Sequence, residues 1–138
     1  MKLSHIMTGG FECVAPQATL AEAAAKMAAC DVGSLPVCSE RKRVLGIVTD
    51  RDITVRAVAC GLDPLRTPVE RVMTREVLSC PADADVEAAI ELMQERQVRR
   101  LLVTDGDAPV GIVSLGDIAL CMREDQAGEV LKRVSEPE

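Results

Sequence analysis

The chain has 138 residues, 48% hydrophobic and 28% charged, a composition of globular material that suits one domain or two small repeats sharing a core. With one Phe and no Trp or Tyr, the core must be aliphatic, and the aromatic platforms on which nucleic-acid bases stack are missing. A formal charge of −6 opposes a polyanion, so nucleic acid is not expected as a partner.

The opening stretch, "MKLSHIMTGGFECV", has no apolar run of the signal-peptide kind, and no later stretch reaches the length of a membrane span. The expectation is a cytoplasmic chain with no membrane contact. In such a reducing compartment the six cysteines (Cys13, Cys30, Cys38, Cys60, Cys80 and Cys121) read as small buried hydrophobes. No two form a C-x-x-C pair and His5 is the only histidine, so no metal site is expected.

The first predicted element is a short extended piece, "FECVA" at 11–15. A helix follows, because Leu20, Ala23, Ala24 and Met27 recur at i, i+3, i+4 and i+7. Thr19 and Glu22 at its start have capping-box spacing. Two β-rich runs come next, "SLPVC" and "RVLGIVT", around the charged turn "ERKR", and a second helix starts after Thr49. Residues 61–71, with Gly61, Pro64 and Pro68, read as a connector. The same order then returns: "EVLSC"; a helix on Val86, Ala89, Ile90 and Met93 with Asp85 at its N-cap; "RLLVT" and "APVGIVS" around "DGD"; and a helix after Ser114. In the tail, Ala127, Val130, Leu131 and Val134 again have helical spacing, predicting a helix laid on the body or on a partner.

This recurrence is a duplication. Met7 and Met73 lie 66 residues apart, as do "LAEAAAKM" and "VEAAIELM", and "VGSLPV" and "VRRLLV". The phrases "GIVTDRDI" and "GIVSLGDI" are 65 apart, so the second copy has lost one loop residue. The expected architecture is α+β, a β-α-β-β-α unit written twice. The boundaries are 1–61 for the first repeat, 62–71 for the connector, 72–122 for the second repeat and 123–138 for the C-terminal helix and tail.

The duplicated unit, the "MT" before each copy and the "G-I-V-[TS]-x-x-D-I" phrase ending each third strand resemble a CBS domain pair, or Bateman module, over residues 5 to 122. The run "TDRDITVRAVACGLDP" resembles the small stand-alone bacterial members, which carry no catalytic domain. The resemblance implies repeats packed about a pseudo-two-fold axis, with clefts for adenosine-containing ligands such as AMP, ADP, ATP or S-adenosylmethionine. It also implies a homodimer that senses its ligand and passes the signal to a regulated protein the sequence does not name. No other cofactor is implied. The cysteines of the stand-alone members further imply a disulfide between Cys13 and Cys38.

Residue chemistry supplies two readings of the repeated phrase. Thr49 and Asp52 are spaced as an N-cap and N3 pair, as are Ser114 and Asp117, and a local cap accounts for both. The same groups suit a nucleotide, a hydroxyl for its phosphate and a carboxylate for the two ribose hydroxyls. The resemblance assigns them those roles. Arg51 between the first pair is either a solvated arginine or a phosphate contact that Gly116 cannot make. Arg99 and Arg100, where the first copy has Gly33 and Ser34, either cover a strand edge or hold phosphate by bidentate contacts. Leu35, Pro36, Leu101 and Leu102 would be core by hydrophobicity; the resemblance places them beside adenine.

An enzyme is not expected, because no nucleophile with a positioned base and no acid–base pair is evident. Two alternatives to the regulatory reading stay open. One is a structural dimer without ligand, the other a redox-responsive protein acting through its cysteines.

Overall fold

The computed structural model describes residues 1–9, 12–106, 108–122 and 124–135. The chain forms two compact units, one of Glu12–Val77, the other of Met1–Phe11 together with Leu78–Glu138. They are called here the first and second units, after the repeat that supplies most of each.

In the first unit, α1 spans Leu20–Cys30 and is entered through the capping box. Thr19 Oγ1 accepts from Glu22 N at 3.1 Å, and Glu22 Oε2 accepts from Thr19 N at 3.3 Å. The helix ends at Asp31 in the left-handed conformation. Leu20, Ala23 and Met27 enter the core, whereas Ala24, expected on the same stripe, is exposed. The antiparallel pair β1 (Ser34–Cys38) and β2 (Val44–Thr49) follows. A short helical turn, α2 (Asp50–Asp52), then widens into a π-helical stretch over Ile53–Val58.

The second unit repeats this plan with two differences. Its sheet has three strands, β3 (Ser79–Pro81) parallel to β4 (Arg100–Asp105), and β4 antiparallel to β5 (Ala108–Ser114). Its helices are α3 (Val86–Arg96), α4 (Leu115–Cys121) and α5 (Glu124–Ser135). The N-cap residue of α3, Asp85, makes no side-chain cap bond. Among the described residues the first copy has no strand matching β3. Of the predicted strand "FECVA", Phe11 lies outside the described residues, and Val14 makes only a single bridge to Val37. Two prolines explain this. In the second unit Leu102 N donates to Leu78 O at 2.9 Å and Ala82 N to Thr104 O at 2.8 Å. The matching residues in the first copy are Pro36 and Pro16, neither of which has an N–H to extend the ladder.

Each unit has one apolar cluster. The first is built on Leu20, Leu35, Val37, Val48, Val69 and Met73. The second is built on Ile90, Met93, Leu101, Val103, Val113 and Ile118, joined by Val130 and Val134 of α5. The predicted tail helix therefore packs on the body of its own chain. Leu131 of that helix is half-exposed, and the side chain of Ala127 lies outside what is described.

The "MT" segments cross over. Thr74 N donates to Ile47 O at 2.8 Å and Ile47 N to Thr74 O at 2.9 Å, so the "MT" that opens the second repeat docks on β2. Thr8 and Ile112 make the same pair of bonds, at 2.9 and 3.3 Å, so the first "MT" docks on β5. A glycine lies beneath each strap. A Cβ on Gly46 would sit 2.6 Å from Thr74 O and 2.9 Å from Met73 Sδ; one on Gly111 would sit 2.7 Å from Thr8 O and 2.8 Å from Met7 Sδ. Only a residue without a side chain lets the strap approach so closely.

Candidate functional site

Each copy of the repeated phrase turns from strand to helix at a reciprocal capping box. Asp52 N donates to Thr49 Oγ1 at 3.0 Å, and Thr49 N donates to Asp52 Oδ2 at 3.0 Å. In the second copy the corresponding distances are 3.0 Å to Ser114 Oγ and 2.8 Å to Asp117 Oδ2. The cap occupies only one oxygen of each carboxylate. Asp52 is 9% exposed, and its Oδ1 lies 3.8 Å from Arg56 Nε. Asp117 is half-buried, and among the described residues its Oδ1 has no partner.

The strand before each box brings the variable residues alongside. Arg100 pairs with Ser114 in the β4–β5 register, and Arg99 O accepts from Leu115 N at 2.8 Å. Ser34 pairs with Thr49, and Gly33 O accepts from Asp50 N at 2.9 Å. The backbone at Arg99 and Arg100 thus adjoins Ser114 and Leu115 within one unit. Both arginines are exposed, and neither has an ion-pair partner among the described residues. Arg51 is likewise exposed, next to Asp52 on α2. Leu35, Pro36, Leu101 and Leu102 are buried in β1 and β4, and Leu35 and Leu101 belong to the two cores.

Two contributors went unnoticed in the sequence. Arg56 was one; its Nη1 donates to Val72 O at 3.1 Å while its Nε faces Asp52, so it ties the carboxylate to the strap segment. Its spacing of four from Asp52 was the available signal. The glycine of each "GIV" was the other, and its recurrence opposite a recurring "MT" was the clue.

Cys13 and Cys38 are free thiols. Val14 N donates to Pro36 O, and Cys38 N to Val14 O at 2.9 Å, which sets Cys13 beside Cys38. Burial, then a side-chain hydrogen bond with Cys13, push the Cys38 thiol up from 9.0 to about 12, against a lowering by Lys42. Burial also raises Cys80. Among the described residues, no group of three His, Cys, Asp or Glu side chains is placed to hold a metal ion, and no helix is long and apolar enough to cross a membrane.

A twice-written α+β unit with matching strand-to-helix capping boxes defines a CBS-domain pair, and the family model for the CBS domain matches residues 3–58 and 69–124. The chain belongs to that family. It is similar to hypoxic response protein 1 of Mycobacterium tuberculosis, 35% identical over 132 residues covering 96% of this chain and 92% of the relative. A crystal structure of hypoxic response protein I with two coordinated zinc ions superposes with a TM-score of 0.77 at 35% identity, covering 89% of this chain and all of the other. The CBS domain pair of MJ0100, solved with 5′-methylthioadenosine and S-adenosylmethionine, superposes with a TM-score of 0.78 at 24% identity, covering 94% and 98%.

Proposed function

We propose that the chain is a cytoplasmic regulatory module that binds an adenine nucleotide and changes the surface it offers to a regulated protein. Asp52 and Asp117 each hold a ribose through the carboxylate oxygen left outside the cap. Thr49 and Ser114 contact phosphate, with Arg51 helping in the first copy and Arg99 and Arg100 in the second. Leu35, Pro36 and Leu101 supply the apolar wall for adenine. The observation that carries this reading is the preservation of the same hydroxyl–carboxylate pair, in the same geometry, in both copies. A cap alone does not require it, since the N-cap of α3 makes no such bond.

The active assembly is a homodimer. Val55 and Leu120 occupy matching helix positions, 65 residues apart, and are 50% and 87% exposed. Large apolar side chains left in water at equivalent sites suit a contact with a second copy. Cys13 and Cys38 form a disulfide under oxidising conditions, since the backbone bonds of Val14 to Pro36 and Cys38 set the two residues side by side.

Titration calorimetry with AMP, ADP and ATP, using GTP as the competitor class, tests the ligand. Replacing Asp52 or Asp117 by Ala should weaken its own site about ten- to a hundred-fold, the consequence of losing a charged acceptor worth about 1.5–3 kcal/mol. Failure of all three nucleotides to bind at millimolar concentration would overturn the reading.

A further inference from the structure

The two copies share their hydroxyl–carboxylate pair but differ in the charges around it. At four matching positions the first copy carries Gly33, Ser34, Asp50 and Arg51, and the second carries Arg99, Arg100, Leu115 and Gly116. The registers described above make these positions equivalent in space as well as in sequence: Ser34 opposite Thr49, Arg100 opposite Ser114, and a carbonyl at 33 or 99 receiving the N–H at 50 or 115.

In the first copy the four residues sum to zero. Moreover, Asp50 Oδ2 lies 3.0 Å from where a Cβ on Gly33 would stand. A carboxylate therefore fills the space from which the Arg99 side chain departs in the second copy. Its Oδ1 also accepts from Arg51 N at 2.8 Å, which fixes it there. Arg56, four residues past Asp52, is committed to Val72 O and Asp52. In the second copy the four residues sum to two positive charges. Leu115 is buried, and position 121, matching Arg56, is a cysteine.

Resting on the adenosine reading above, we infer that the two sites sort ligands by phosphate charge. The site of Ser114 and Asp117 takes adenosine polyphosphates, drawn by Arg99 and Arg100. The site of Thr49 and Asp52 gains little net from phosphate even with Thr49 and Arg51 beside it, because Asp50 repels what Arg51 attracts, and it takes uncharged or singly phosphorylated adenosine compounds. One chain would then report the two classes of ligand separately.

Single-site variants test this. Asp52→Asn and Asp117→Asn keep an oxygen for the capping N–H and so spare the fold, while removing the charge that receives ribose. Calorimetry then compares ATP with 5′-methylthioadenosine, which has no phosphate. In Asp52→Asn, where the second site remains, ATP should bind about a hundred-fold more tightly, roughly tenfold per arginine. That preference should shrink as salt is added, because both arginines are exposed. Adding Arg99→Gln and Arg100→Gln should abolish it while leaving 5′-methylthioadenosine binding in place. In Asp117→Asn, ATP should bind no more tightly than 5′-methylthioadenosine. An equal ATP preference at both sites, or one that survives loss of both arginines, overturns the sorting and leaves the adenosine reading standing. If neither compound binds the unaltered chain, the adenosine reading itself falls, and the sorting with it.

Discussion

Gly46→Ala is the sharpest test of the crossed-strap packing. The new methyl would meet Thr74 O at 2.6 Å and Met73 Sδ at 2.9 Å, and the backbone oxygen cannot swing away as a side chain can. The strap must lift. Lifting it lengthens or breaks the two bonds between Ile47 and Thr74, each worth about 0.5–1.5 kcal/mol net. It also partly uncovers Met73, now 6% exposed, and full exposure of such a side chain costs about 1.5–3 kcal/mol. Against these stands a gain of about 0.4–1 kcal/mol from a stiffer unfolded chain. The expected net loss is about 2–4 kcal/mol, read as a lower urea midpoint at unchanged slope. Gly9→Ala is the control, because nothing lies within 4 Å of its added carbon. A Gly46→Ala midpoint within about 0.5 kcal/mol of the unaltered chain, the scatter of surface substitutions, would refute the close approach.

Thr19→Ala should cost about 1 kcal/mol, because both bonds of its capping box are present, whereas Asp85→Ala should cost markedly less in the same urea titration. The raised Cys38 thiol holds its proton in the folded chain after the unfolded chain has lost it. Stability should therefore be fully present below pH 9 and fall as pH rises from there toward 12, with Cys38→Ala removing its share of that slope and the raised Cys80 thiol keeping the rest in a pH series of melts. At pH 8, mass spectrometry after alkylation should show the exposed Cys30, Cys60 and Cys121 labelled well before Cys38. Val55→Glu combined with Leu120→Glu should convert a dimer to a monomer by light scattering, and a dimer that persists would move the interface elsewhere.

Most of the fold was legible because it was written twice. Helical spacing placed α1 and α3, and Val86, Ala89, Ile90 and Met93 are all buried as their period required. What failed depended on residues beyond the stretch being read. The described part of the strand expected at "FECVA" is reduced to one bridge by two prolines, Pro16 just beyond it and Pro36 in a different strand, and no reading of residues 11–15 alone reveals either. Asp85 has the right residue type at an N-cap, but its side chain accepts no cap bond, and Ala88 at N3 has no side chain to return the bond that Glu22 makes in α1. In the candidate site, the hydroxyl–carboxylate pairs were legible from spacing. The placement of Asp50 against Gly33 was not, since it depends on which way a side chain turns off a helix start.

The crossed straps mean that the unit of heredity and the unit of folding are out of phase. A gene fragment cut at the repeat boundary would encode a piece whose own "MT" docks on a glycine of the other repeat, while the strap that covers its own glycine lies downstream of the cut. The segment Glu12–Val77 carries its strap within one uninterrupted stretch, whereas its counterpart must gather residues from both ends of the chain. A lone repeat that kept this docking would find its strap on a sister molecule. Joining two genes end to end would have turned that exchange between molecules into a property of one.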